Sequence, residues 1–239
     1  MPIVKLDAIG STNDFLSEMA SAQQLENYTT VTTETQTKGR GQQGATWMAE
    51  PGKNLTVSVY IESSFKNPES VFMLNAAIAL AIADCLDGLG IPDVCVKWPN
   101  DILSGMKKVS GVLIENSWRG STVRSIVGIG LNVNQTDFGN LPHVASMALV
   151  TGRQFDRDEV LEKLLSQIKM RTNNVETKRD IWVDYHARLF KKDKPMPFES
   201  AGRRFMGIIR GVDPDGRLRV ELEDESIRTF GVREISMLY

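Results

Sequence analysis

Gly39-Arg40-Gly41-Gln42-Gln43-Gly44-Ala45-Thr46-Trp47-Met48-Ala49-Glu50-Pro51-Gly52 is the stretch on which the fold turns. Its first six residues satisfy the dinucleotide pattern G-x-G-x-x-G. In a Rossmann fold those glycines open a helix, whose N-terminus faces a pyrophosphate. Here the polar run instead passes through Pro51-Gly52 into Asn54 to Ile61, whose period-two alternation is that of a strand. Upstream, Thr29 to Thr35 is β-branched and also reads as a strand. A glycine loop between two strands excludes the dinucleotide fold. A kinase glycine loop has that setting too, but neither H-R-D nor D-F-G follows, and G-x-x-x-x-G-K-[ST] is absent. What is left is a pliable loop with one cation, Arg40. Glycine backbone N–H groups and a planar guanidinium suit a carboxylate or a phosphate. A plain surface loop has the same composition, so both readings stay open at this point.

Outward from the loop, Ser11-Thr12-Asn13 precedes a helix-period run, Asp14 to Ala20, and reads as a helix start. Val71 to Leu89 reads as a buried helix ended by Gly90 and Pro92. Val94 to Trp98, Val109 to Glu115 and Ser125 to Val133 read as strands, Asp156 to Met170 and Lys178 to Leu189 as helices. After Lys191 the helical period disappears. Phe205 to Val212, Leu218 to Leu222 and Arg228 to Val232 read as short strands, with a hairpin turn at Asp213-Pro214-Asp215-Gly216. The expected architecture is α/β (α+β). Residues 1–190 are expected to form a larger domain with a mixed central β-sheet flanked by helices, and residues 191–239 a small SH3-like β-barrel.

Composition narrows the function classes. Of 239 residues, 41% are hydrophobic and 24% charged, with a net charge of −2, so the chain can bury a core and is no general binder of nucleic acid or anionic membrane. The most apolar stretch, Val71 to Ala83, is too short to span a bilayer, and the N-terminus lacks a secretory apolar region. Cys85 and Cys95 match no zinc or redox spacing and are expected to be buried free thiols of a cytoplasmic protein.

Three further blocks bear on chemistry. In Lys97-Trp98-Pro99-Asn100-Asp101 a strand delivers a tryptophan, proline turns the chain, and Asn and Asp stand at the strand's end, as turn formers or as ligand contacts. Lys107-Lys108 runs straight into an apolar strand, so Lys108 is either a solvated edge lysine or a cation reaching into a pocket. Gly128-Ile129-Gly130-Leu131-Asn132 is a glycine-bearing strand, and such glycines mark the close approach of a ligand or another chain segment.

Taken together, Ser11-Thr12-Asn13, Gln36 with the glycine loop and Trp47, Lys97 to Asp101, Lys108 with Gly111, and Gly128 to Asn132 resemble the biotin–protein ligase family in order and spacing. The resemblance covers roughly residues 5–190, and the C-terminal β segment is similar to the family's small barrel. It implies an ATP-dependent enzyme that joins biotin's carboxylate to AMP and then transfers biotin from biotinyl-5′-adenylate to a lysine of a biotin carboxyl carrier protein. On the biotin side it implies Ser11, Thr12, Asn13, Gln36, Gly39, Arg40, Gly41, Lys108 and Gly111, with Arg40 and Lys108 by the carboxylate. On the ATP side it implies Arg40, Trp47, Asn100, Asp101, Lys108 and Asn132, with Lys108 and Arg40 as the catalytic cations. Mg²⁺ is the implied metal, met by Asp101 directly or through a bound water.

Physically, two anions must be brought together, and Arg40, Lys108 and Mg²⁺ offset their repulsion. Many family members carry a DNA-binding helix-turn-helix before this domain. Ser11 stands so near the first residue that the chain is expected to be a form without one, and no DNA or membrane partner is expected. Some relatives have further arginines where this chain has Gln42, Gln43 and Ala45, so the loop's charge is thinner, yet the adenylate is expected to be retained. A lipoate–protein ligase of the same fold and a non-catalytic biotin-binding protein are the alternatives. The sheet's edge strands leave both a monomer and a homodimer open.

Overall fold

The computed structural model describes residues 1–64, 71–119, 122–173 and 180–239. Strands β1 (Ile3–Ile9), β2 (Thr30–Gln36), β3 (Leu55–Ser64), β4 (Val94–Lys97), β5 (Asp101–Ser104), β6 (Lys107–Arg119) and β7 (Thr122–Leu131) form one seven-stranded sheet in the order β1-β2-β3-β7-β6-β5-β4. Only β1 and β2 pair in parallel; the other neighbours are antiparallel. The sheet is therefore mixed, as expected.

Helices cover it on both faces. The period-two pattern of β3 sends Tyr60 to one face, where it meets Leu16 of α1 (Thr12–Ala22), Val31 and Ile126. It sends Val57, Val59 and Ile61 to the other, into the main core with α2 (Phe72–Gly88), α4 (Arg157–Thr172) and α5 (Asp180–Ala187). Helix α2 is apolar on nearly every side, which is why it is buried from Leu74 to Leu86. It ends where Gly90 takes a left-handed φ of 74°. Hydroxyl and carboxylate caps set the other starts. Ser11 accepts from the Asp14 N–H, Asp156 from those of Asp158 and Glu159, and Ser146 caps the short α3 (Met147–Thr151).

Strands β8 (Pro195–Ser200), β9 (Arg203–Val212), β10 (Leu218–Leu222), β11 (Ile227–Phe230) and β12 (Ser236–Met237) form a separate antiparallel sheet in the order β11-β10-β9-β8-β12. Phe198, Ile209, Leu218 and Val220 from this sheet join the main core. The β9–β10 turn is the hinge pin of the joint. Gly216, at φ 89°, turns its carbonyl to accept from the Trp98 indole N–H at 2.8 Å, and a Cβ there would run into the Phe72 ring.

Several elements differ from the sequence reading. Strands β1, β5 and β12 and helix α3 were not expected. β1 is an edge strand with four of its seven residues exposed and none fully buried, β5 has four residues, and β12 has two, too few for a period to register. Strand β8, which carries Pro195 and Pro197, was not expected either. The expected helix from Lys178 is α5, and Lys178 itself lies outside the described residues. Cys85 is buried, but Cys95 is only half-buried, and both are free. Burial pushes the Cys85 thiol up to about 12 and the Cys95 thiol up to about 11. Among the described residues no helix is long and apolar enough to cross a membrane.

Candidate functional site

A cavity of about 620 Å³ opens over β3, β6 and β7, roofed by the start of α1, the glycine loop and the turn between β11 and β12. Its floor owes its shape to glycines. Gly128 and Gly130 are two apart on β7 and so share a face. A Cβ at Gly128 would collide with the Asn13 amide and one at Gly130 with the Trp47 indole, while one at Gly111 would press tightly on Lys108 at 3.1 Å and Trp47 at 3.3 Å. The missing side chains let Asn13, Trp47 and Lys108 lie down on the sheet.

At one end the polar groups form a continuous chain. Gln36 Oε1 accepts from the Thr12 N–H at 2.9 Å and the Thr12 hydroxyl at 3.2 Å. Ser58 Oγ lies 2.8 Å from Thr12 Oγ1 and 2.6 Å from Asn13 Oδ1. Asn13 Nδ2 donates to Glu115 at 2.7 Å, and Arg40 donates to Glu115 at 2.8 Å and Asp14 at 2.6 Å. Small hydroxyl and amide groups around an apolar body are what a compact ligand with one polar ring requires.

At the other end the groups are charged. Lys108 Nζ sits 2.6 Å from Asp101 Oδ1 and 5.7 Å from the Trp47 ring centroid, and Lys97 lies 3.6 Å from the other Asp101 oxygen. Lys108 reaches this face through a bulge. Asp101 pairs with Gly111 and Ile102 with Ser110, but Leu103 pairs with Lys108, so Val109 is the extra residue. Strict alternation from the cavity-facing Gly111 would send Lys108 to the opposite face; the bulge turns it inward. Its backbone is satisfied by His143, which accepts from the Lys108 N–H, and by the Ala145 N–H, which donates to the Lys108 carbonyl. Asn100 Nδ2 donates to the Val112 carbonyl at 2.6 Å. The Trp47 indole N–H is buried and finds no acceptor among the described residues. It is a donor left for whatever enters the cavity.

Comparison with known proteins agrees with this geometry. Residues 6–132 match the model of the biotin/lipoate A/B protein ligase family, and residues 198–238 match the biotin protein ligase C-terminal domain. The chain belongs to this ligase family. A biotin–[acetyl-CoA-carboxylase] ligase of Paracoccus denitrificans is 30% identical over 195 residues, covering 75% of this chain and 78% of that protein. The bifunctional ligase/repressor BirA of Salmonella typhimurium is 28% identical over 244 residues, 98% of this chain and 74% of that one. The structure of the Aquifex aeolicus biotin protein ligase with biotin and ATP superposes with a TM-score of 0.80 at 26% identity, covering 99% of this chain and 98% of that one.

Of the residues the ligase resemblance implied, Ser11, Thr12, Asn13, Gln36, Arg40, Gly41, Trp47, Asn100, Asp101, Lys108 and Gly111 all line the cavity. Gly39 and Asn132 do not. Gly39 is buried, with Trp47 and Gln36 so close that a Cβ would not fit, so it shapes the loop from behind. Asn132 is 2% exposed; its Nδ2 donates to the Ala145 carbonyl at 3.1 Å, while its Oδ1 has no partner among the described residues. Gln42 lines the cavity in a single 3-10 turn, and the Gln43 side chain lies outside the described residues. Sequence reasoning missed Asp14, Ser58 and Glu115, although the first adjoins Ser11-Thr12-Asn13 and the last closes the strand begun by Val109. It also missed Val232, Arg233, Ile235, Ser236 and Met237, which the C-terminal sheet brings to the cavity and which no local pattern marks.

Proposed function

We propose that this chain is an ATP-dependent biotin–protein ligase. It activates biotin as biotinyl-5′-adenylate and passes it to a lysine of a biotin carboxyl carrier protein. The observation that carries the reading is one cavity with two chemically distinct ends: a polar-tipped, mostly apolar end at Thr12, Asn13 and Gln36, and a cationic end at Lys108. The match of residues 198–238 to a biotin protein ligase C-terminal domain favours biotin over lipoate, and the likeness to a ligase solved with biotin and ATP supports the substrate pair.

In this reading Ser11, Thr12, Asn13 and Gln36 hold the biotin ring. Trp47 offers its indole N–H on the nucleotide side, and Asn100 lines the same cavity. Lys108 stands where the carboxylate oxygen meets the α-phosphorus and offsets the charge that develops there as pyrophosphate leaves. Its contact with Asp101 keeps the ammonium aimed until the anions arrive.

Among the described residues no group of three or more His, Cys, Asp or Glu could cage a metal. Mg²⁺ is held largely by phosphates and water with one carboxylate, and Asp101, which lines the cavity, would be that carboxylate. When bound, it would neutralise phosphate charge. No DNA partner is proposed, and residues 1–190 and 191–239 are read as two units sharing one site. The deciding experiment is mass spectrometry of a biotin carboxyl carrier domain incubated with the protein, Mg-ATP and, in separate reactions, biotin or lipoate. A biotin mass on one lysine is expected. No adduct, or an adduct with lipoate alone, overturns the reading.

A further inference from the structure

Arg40 does not point at Lys108 and the charged end. Its guanidinium is clasped by two carboxylates, Asp14 Oδ1 at 2.6 Å on the first turn of α1 and Glu115 Oε2 at 2.8 Å on β6. Glu115 has a second contact through the same oxygen, the Asn13 Nδ2 at 2.7 Å. Asn13 in turn lies against the bare Gly128 backbone and meets Ser58, which meets Thr12, which donates to Gln36. One hydrogen-bonded chain thus runs from the glycine loop to the polar pocket, and Glu115 is the link common to both. Resting on the functional reading above, we propose that Glu115 is a positioning residue that couples closure of the Gly39–Gly44 loop to occupancy of the biotin pocket. Through Arg40 it holds the loop down; through Asn13 it senses the ordered pocket wall.

The chemistry favours a carboxylate at this position. A single oxygen accepting from both an amide and a guanidinium benefits from full negative charge, whereas glutamine supplies only a neutral carbonyl. Asp14 adds a second anion on the same fork, so Arg40 bridges two elements, α1 and β6. In a loop this rich in glycine and short of other cations, such a tie replaces the arginines that Gln42 and Gln43 do not supply.

The test is the dissociation rate of preformed biotinyl-adenylate from wild type, Glu115→Gln, Asp14→Asn, Arg40→Ala and the double variant Arg40→Ala/Glu115→Gln, with a melting curve for each. Glu115→Gln is near-isosteric at a half-exposed site and keeps an acceptor for Asn13. The expected result is release accelerated about fivefold in Glu115→Gln, the scale of an exposed charge pair. Asp14→Asn should act in the same direction, and the double variant should release no faster than Arg40→Ala. That coupling is a readout that a merely structural role would not move. Unchanged release in Glu115→Gln overturns the proposal. So does slower release, since Glu115 would then be a parking anion that competes with phosphate for Arg40. If the wild type forms no adenylate, the functional reading fails; if it forms one that Glu115→Gln retains equally well, this proposal alone fails.

Discussion

Lys108 is the residue on which the chemistry is concentrated. Its ammonium is half-buried beside Asp101 and Trp47, on the cavity face of β6. Lys108→Ala is expected to slow adenylate formation by about 10²–10³, the usual cost of removing a charge aimed at a developing anion. The melting curve should barely move, because the residue lost is not a core side chain. Biotin-dependent exchange of pyrophosphate into ATP is the measurement, and near-normal exchange in a folded variant would remove Lys108 from the mechanism. Arg40→Ala is expected to act later, on retention. Incubated with biotin, Mg-ATP and serum albumin, the wild type should leave the albumin clean and Arg40→Ala should label it, since the clasp to Asp14 and Glu115 is gone. Albumin labelled equally by both would show that the loop leaks regardless of its arginine.

Among the elements, β7 decides what the cavity can hold. Its glycines face Asn13 and Trp47 so closely that no Cβ fits. Gly130→Ala should push the Trp47 ring off the sheet at a cost of about 1–3 kcal/mol, the range for overpacking. Displacing Trp47 should raise the KM for ATP more than that for biotin, whose pocket lies towards Gly128. Gly128→Ala should do the reverse by displacing Asn13. Steady-state kinetics with each substrate varied checks both, and equal effects on the two KM values would mean that the two glycines serve stability alone. Beside β7, the bulge at Val109 makes β6 an unusual strand, because it changes which face Lys108 occupies without altering composition.

For the whole molecule, the joint between the two sheets is where stability and pH meet. His186 of α5 sits against β9: its Nε2 is 2.9 Å from the Val212 N–H and 3.0 Å from the Val212 carbonyl. Burial holds the imidazole below its ordinary 6.5, with the charges of Lys192 and Arg219 adding to the effect and the Val212 hydrogen bond and Asp213 opposing it. A folded pKa below the unfolded one means that the unfolded chain takes up its proton first as pH falls. The contribution is therefore complete above 6.5 and is lost as pH falls from there through the folded pKa. The melting temperature of the wild type should decline as pH drops below about 6.5, before most carboxylates titrate. His186→Gln should flatten that part of the profile, and an unchanged slope would assign it to other groups.

The composition and the strand after Gly52 were enough to determine a mixed α/β protein, because periodicity and residue type are local properties that survive without coordinates, while the ligase site was legible only through the resemblance that the polar blocks carry. The glycine loop, Lys97 to Asp101, and Gly128 with Gly130 were legible for the same reason: each is a short run whose residue types are unusual in themselves. Three things were decided only in space. The bulge at Val109 chose the face for Lys108, because a one-residue register shift reverses a side chain and leaves no mark on the sequence. Pairing of Arg40 with Asp14 and Glu115 joined residues far apart in the chain, and a charge does not announce its partner. Finally, docking of Gly216 on Trp98 and Phe72 brought the β11–β12 turn over the cavity. Packing between two separately patterned sheets depends on shape across the interface, which no window of sequence contains.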